Sequence, residues 1–201
     1  MRLRPRSPCS VRIALACACL ALATLARESP AHLDAAAQSS AQAGQSEYQV
    51  KAAVLFKFVG YVKWPEKAFK DASDPIVVAV VGPDPFGSLI DNAFKDKLVG
   101  GRKLVVKRFK TTADIERCHV LFVVDAESPK LPQILEKTKG SQVLVVCETS
   151  GAAEKGASIN LGIENKKMRF EINKEAAKRC ELEISSELLK LAKIVKDEGA
   201  Q

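Results

Sequence analysis

Between residues 46 and 64 the apolar positions follow a helical period. Val50, Val54, Phe58 and Val62 recur every fourth residue, which predicts an amphipathic helix. Ser46-Glu47-Tyr48-Gln49 has the form of a capping box at its start. Pro65 predicts its end near Trp64, because the residue before a proline is pushed out of the α region. The pattern then shifts. Residues 76–81 form the unbroken apolar run Ile-Val-Val-Ala-Val-Val, expected of a central strand buried on both faces. Residues 86–95 read as a helix, 103–109 as a second strand, and 112–117 as one helical turn. Residues 120–124 predict a third strand, buried; 129–139 a helix; and 142–147 a fourth strand, also buried. Strands that alternate with helices imply βαβ units and a parallel sheet covered on both faces.

Beyond residue 158 the period becomes two. Ile159, Leu161 and Ile163 alternate with Asn160 and Gly162, and Met168, Phe170 and Ile172 alternate with Arg169, Glu171 and Asn173. The polar stretch Glu164-Asn165-Lys166-Lys167 separates them, so an antiparallel hairpin with one solvated face is expected. A short helix over 174–179 follows. A last helix is expected to be capped by Ser185 and to carry Ile184, Leu188, Leu189, Ala192 and Val195 on one side, with Lys193 and Lys196 near its C-terminal end. The expected class is α/β. A mostly parallel central sheet is flanked by helices and followed by a C-terminal antiparallel hairpin and a terminal helix.

The start of the chain reads differently. Arg2, Arg4, Arg6 and Arg12 precede a charge-free apolar run over 13–26, rich in Ala and Leu. That run is too short to span a bilayer comfortably and has the order of an export signal. The expectation is a signal peptide over 1–26, a flexible Ala/Gln/Ser-rich leader over 27–45, a domain over 46–197, and a periplasmic destination. The formal charge of +7 loses its four leading arginines with the signal and falls to +3, which gives no reason to expect nucleic-acid binding.

Chemistry-bearing motifs are sparse. Gly82-Pro83-Asp84-Pro85-Phe86-Gly87-Ser88 follows a strand and precedes a helix, as a phosphate loop would. But two prolines remove backbone donors and Ser88 stands where a lysine is needed, so a rigid strand-to-helix turn is expected. Cys118 and His119 are neighbours on a strand and point to opposite faces, which rules out a dyad. The scattered His and Cys residues have no metal-ligand spacing. No catalytic residues, metal or cofactor are expected. With the signal gone, Cys118, Cys147 and Cys180 remain, and buried thiols are the expectation for the first two. Phe58, Tyr61 and Trp64 gather near the end of the first helix. They read either as core or as an aromatic lip facing a partner.

Several segments, taken in order, resemble the YfiR family of periplasmic regulators. They are Ala52-Ala53-Val54-Leu55-Phe56 with Tyr61-Val62-Lys63-Trp64-Pro65, the loop that runs from Val81 to Gly87, Arg117-Cys118-His119-Val120-Leu121-Phe122, Ile159-Asn160-Leu161 with Arg169-Phe170-Glu171-Ile172-Asn173, and Ile184-Ser185-Ser186 with the helix after it. The resemblance implies a dimer-forming protein that docks on the periplasmic sensor of a membrane diguanylate cyclase and restrains it, so lowering cyclic di-GMP. An outer-membrane lipoprotein would relieve the restraint. It also implies a partner-binding role for Glu171, Ile184 and Leu189. Arg169 joins them as the neighbour of Glu171 on the solvated hairpin face. The alternative is a small-ligand sensor or solute-binding module, with its ligand at the edge of the parallel strands.

Overall fold

The computed structural model describes residues 31–164 and 167–198. The expected signal segment and the residues at the hairpin turn, 165–166, lie outside them. Among the described residues, those from 42 onward form one compact unit. The first described element is helix α1, Ala31–Tyr61. Its length departs from the expected start at Ser46. Residues 31–45, read as a flexible leader, are helical, and Ser46 lies inside the helix instead of capping it. Alanine is the strongest helix former, and the stretch contains six of them.

After α1 come the short strand β1 (Val62–Lys63), the central strand β2 (Ile76–Val81) and helix α2 (Ser88–Phe94). Strands β3 (Leu98–Val99) and β4 (Arg102–Phe109) follow, then β5 (Val120–Val123), helix α3 (Leu131–Thr138) and β6 (Leu144–Cys147). The hairpin is formed by β7 (Ile159–Glu164) and β8 (Lys167–Asn173). The chain continues through α4 (Lys174–Arg179), β9 (Glu183–Ile184), α5 (Ser186–Leu191) and β10 (Lys193–Val195). The main sheet has the order β10-β8-β7-β6-β5-β2-β4-β3, and β1 pairs with β9 in a separate two-stranded ladder. From β4 through β2, β5 and β6 to β7 every pairing is parallel, while β7 and β8 are antiparallel.

The alternation of side chains along each strand builds two cores. On one face Val78, Val80, Phe122 and Val146 pack with Leu55, Phe58 and Val59 of α1 and Ile90 of α2. On the other, Ala79, Val81, Leu121 and Val145 pack with Leu131 and Ile134 of α3. The helices on both faces are those the apolar strands require.

The end of the chain differs from the expected long helix. Ser185 is a cap, its Oγ accepting from the Glu187 N–H at 3.2 Å, but α5 stops at Leu191. Residues 193–195 run extended beside β8, with Lys193 opposite Glu171 and Val195 opposite Asn173. Ile194 and Val195 are β-branched and favour a strand, and the outer edge of β8 offers them backbone partners. Lys193 is therefore an edge-strand residue and not a helix C-terminal cation.

Candidate functional site

The hairpin register sets three polar residues in one row. Asn160 on β7 stands opposite Glu171 on β8, which stands opposite Lys193 on β10. Lys193 Nζ donates to Glu171 Oε1 at 2.7 Å, and Asn160 Nδ2 donates to Glu171 Oε2 at 3.4 Å. The hydrogen bond to Glu171 holds the Lys193 ammonium above its ordinary value. Arg169 shares this face but does not pair with Glu171, because Lys193 has taken that carboxylate. Arg169 lies 4.0 Å from Glu164 instead. A groove of about 800 Å³ runs along this row, bounded by Glu148 and Ser150 after β6, by the hairpin, and by residues 190–193.

Ile184 and Leu189 line a different groove, of about 340 Å³, together with Ala177 and Leu182. Helix α5 divides the two: Leu189 faces the smaller groove, while Lys190 and Leu191 face the larger. The four residues expected to meet a partner thus fall into two pairs on either side of one short helix, not on one stripe.

The aromatic lip does not form as a trio. Phe58 is 1% exposed and meets Phe170 edge-to-face at 5.2 Å, so it belongs to the core. Tyr61 and Trp64 are half-buried, and Trp64 lies edge-on to the His119 ring at 6.3 Å. His119 is buried and fully bonded. Its Nδ1 accepts from the Val77 N–H, and Nε2 bonds the Ala68 carbonyl, both at 3.0 Å. Because Nδ1 is an acceptor, the proton sits on Nε2 and the ring is neutral. Burial pushes its pKa below the ordinary value. Cys118 packs into the second core, and burial pushes its thiol up to about 12.

The loop after β2 is a turn and not a phosphate cradle. Asp84 Oδ1 accepts from the Phe86 N–H at 2.8 Å, and Arg108 clamps the loop by donating to Asp84 at 2.6 Å and to the Gly87 carbonyl at 2.8 Å. The Phe86 N–H is taken by Asp84, and Arg108 by Asp84, Asp91 and the Gly87 carbonyl, so neither is free to hold a phosphate. Among the described residues no three His, Cys, Asp or Glu side chains gather as metal ligands, and no helix is long and apolar enough to cross a membrane.

Sequence reasoning missed one buried charge cluster. Lys51 on α1 donates to Glu148 Oε2 at 2.7 Å and lies 2.6 Å from Glu47, and the Tyr48 hydroxyl donates to the same Glu148 oxygen at 3.2 Å. The available signal was Glu148 itself, a carboxylate directly after the buried strand Leu-Val-Val-Cys. The pairing of Lys193 with Glu171 is not legible in the sequence, because the spacing around Lys193 predicts a helix.

A family model described as YfiR/HmsC-like matches residues 48–193. No protein of curated function matches the chain. Among solved structures there is similarity to the ligand-free, open form of CD0873 from Clostridium difficile, a substrate-binding protein with adhesive properties. The identity is 17% and the TM-score 0.43, over 61% of this chain and 55% of that one.

Proposed function

This chain belongs to the YfiR/HmsC-like family, and from that premise we propose that it is a periplasmic regulator of cyclic di-GMP signalling that binds and restrains a membrane diguanylate cyclase. The observation that carries the reading is the extent of the family match, which runs from α1 into β10 and so includes both grooves beside α5. In this reading Ile184 and Leu189 are the apolar anchors and Glu171 and Arg169 the polar rim, the division found at partner interfaces. Export through a cleaved signal over 1–26 brings the domain to the sensor of the cyclase. A homodimer is the working form, and an outer-membrane lipoprotein that relieves the restraint completes the circuit.

The test uses Glu171→Lys and Leu189→Asp in cells. Glu171→Lys sets an ammonium group beside Lys193 and removes the acceptor of the Asn160 amide, so the melting temperature of each variant is measured alongside. The expected result is a folded protein that no longer co-purifies with the cyclase from its own membranes, and raised cyclic di-GMP. If both variants melt normally and cyclic di-GMP stays at its wild-type level, the regulator reading is wrong.

A further inference from the structure

The larger groove has features that a protein contact does not require. Strand β7 pairs with β6 only at Val146–Ile159 and Cys147–Asn160, so the hairpin runs on past the end of β6. The groove therefore opens at the carboxyl end of a parallel strand, the place where open α/β sheets take small ligands. Its volume of about 800 Å³ falls within the usual range for such sites. Asn160 lines it and is 5% exposed, yet its Oδ1 is buried and receives no hydrogen bond. Buried acceptors are nearly always satisfied, so an orphan in a groove wall points to a donor supplied from outside, which reaches this atom by displacing the side chains that cover it.

The charges around the groove narrow the choice. Glu148 is engaged by Lys51, Tyr48 and the Asp125 N–H, and Glu171 by Lys193 and Asn160. Two cations are left. Among the described residues Lys190 makes no salt bridge, and Arg169 has only a loose contact at 4.0 Å with Glu164, an exposed carboxylate that also lines the groove. The wall is mixed in character, and it carries two exposed apolar side chains, Leu191 at 73% and Ile163 at 47%.

We infer that this groove binds a short peptide with a free carboxyl end. The carboxylate meets Arg169 and Lys190, a peptide N–H donates to Asn160 Oδ1, and an apolar side chain covers Leu191 and Ile163. The inference shares Arg169 with the cyclase reading but is tested on the isolated protein, so the two fail separately.

The test is a calorimetric and NMR titration of the purified chain with a set of free-carboxyl dipeptides bearing apolar side chains, and with the same dipeptides as C-terminal amides. Saturable binding of the acids is expected, with the amides weaker by about tenfold, the loss of one charge-assisted contact. Lys190→Ala, a surface change, weakens the acids by about the same factor. Asn160→Leu abolishes binding; it removes both the unsatisfied Oδ1 and the 3.4 Å hydrogen bond to Glu171, so its melting temperature is measured to show that the protein stays folded. Absence of saturable binding, equal binding of acids and amides, or unchanged binding by the Lys190→Ala and Asn160→Leu proteins overturns the inference.

Discussion

Lys51 and Glu148 form an ion pair at 2.7 Å with side chains only 5% and 6% exposed, which ties α1 to the carboxyl end of β6. Removing one partner of a buried pair costs about 3–5 kcal/mol, because a charge is left buried. The two single changes are not equivalent. Glu148→Leu leaves Lys51 with Glu47 at 2.6 Å, whereas Lys51→Met leaves Glu148 with no cation. Urea unfolding is expected to show the larger loss for Lys51→Met, with the double variant closer to wild type than that single. Burial alone would pull the Lys51 pKa down, but hydrogen bonds to Glu148 and Glu47 outweigh it and hold it above 10.5. Its contribution is complete below that pH and is lost as pH rises further. An additive cycle would show the pair to be energetically silent.

His119 makes stability depend on pH in a predictable direction. Burial lowers its pKa in the folded protein below the unfolded value near 6.5. Protonation would also break the bond from the Val77 N–H. Stability is full above pH 6.5 and falls as the unfolded state takes up a proton that the folded state refuses. Denaturant midpoints at pH 7.5 and 5.5 should differ, with the lower value at 5.5. His119→Gln should narrow the difference. Carboxylates lowered by their partners, such as Asp71 and Asp197, lose their contribution only at more acid pH, so they do not confuse this window. Equal midpoints for wild type at the two pH values would refute the assignment.

Cys118 and Cys147 do not bridge. Val120 is level with Leu144, and Cys147 with Val123, so the two cysteines lie toward opposite ends of adjacent strands. At ~3.3 Å per residue that separation is on the order of 15 Å, beyond the reach of a disulfide. Burial pushes both thiols up to about 12. Cys118→Ser is expected to cost about 1 kcal/mol, well below the cost of losing a disulfide. Both thiols should resist alkylation until the protein unfolds, while half-buried Cys180 reacts first. A Cys118–Cys147 bridge in the mass spectrum of the native protein would contradict the strand register.

Gly82 and Gly87 both hold backbone that favours glycine, and Gly82 is also short of space. Gly82 has φ +102, and a Cβ there would lie 2.5 Å from Val124 Cγ2 and 2.7 Å from Glu127 Cγ. Gly82→Ala should cost about 2 kcal/mol or more, from backbone strain and overpacking together. Gly87 has φ +51 and ψ −128, backbone that side-chain-bearing residues avoid, but nothing lies within 4 Å, so Gly87→Ala should cost about 1–3 kcal/mol from backbone strain alone, less than the strain and overpacking combined at Gly82. Thermal melts of the two variants should rank in that order; a reversed order would mean that the close approach at Gly82 relaxes freely.

The sequence by itself determined the class of this fold. Runs such as Ile76–Val81 are apolar on both faces and can be buried only between two layers, and the period-two alternation over 159–173 defines a hairpin before any contact is known. It also determined that Ser185 caps a helix and that Cys118 and His119 point apart. These are local properties, read from spacing and backbone chemistry. What tertiary structure alone decided depends on which strands become neighbours. Residues 193–195 became a strand because β8 offered an open edge, and only that pairing brought Lys193 to Glu171 and turned Arg169 toward Glu164. Lys51 and Glu148 are 97 residues apart and meet only because α1 packs across the end of β6. Phe58 could not be told from a surface aromatic until Phe170 closed over it. The groove around Asn160 has the same origin: its walls come from β6, the hairpin and α5, and no periodicity within one segment records how far the hairpin extends beyond its neighbour.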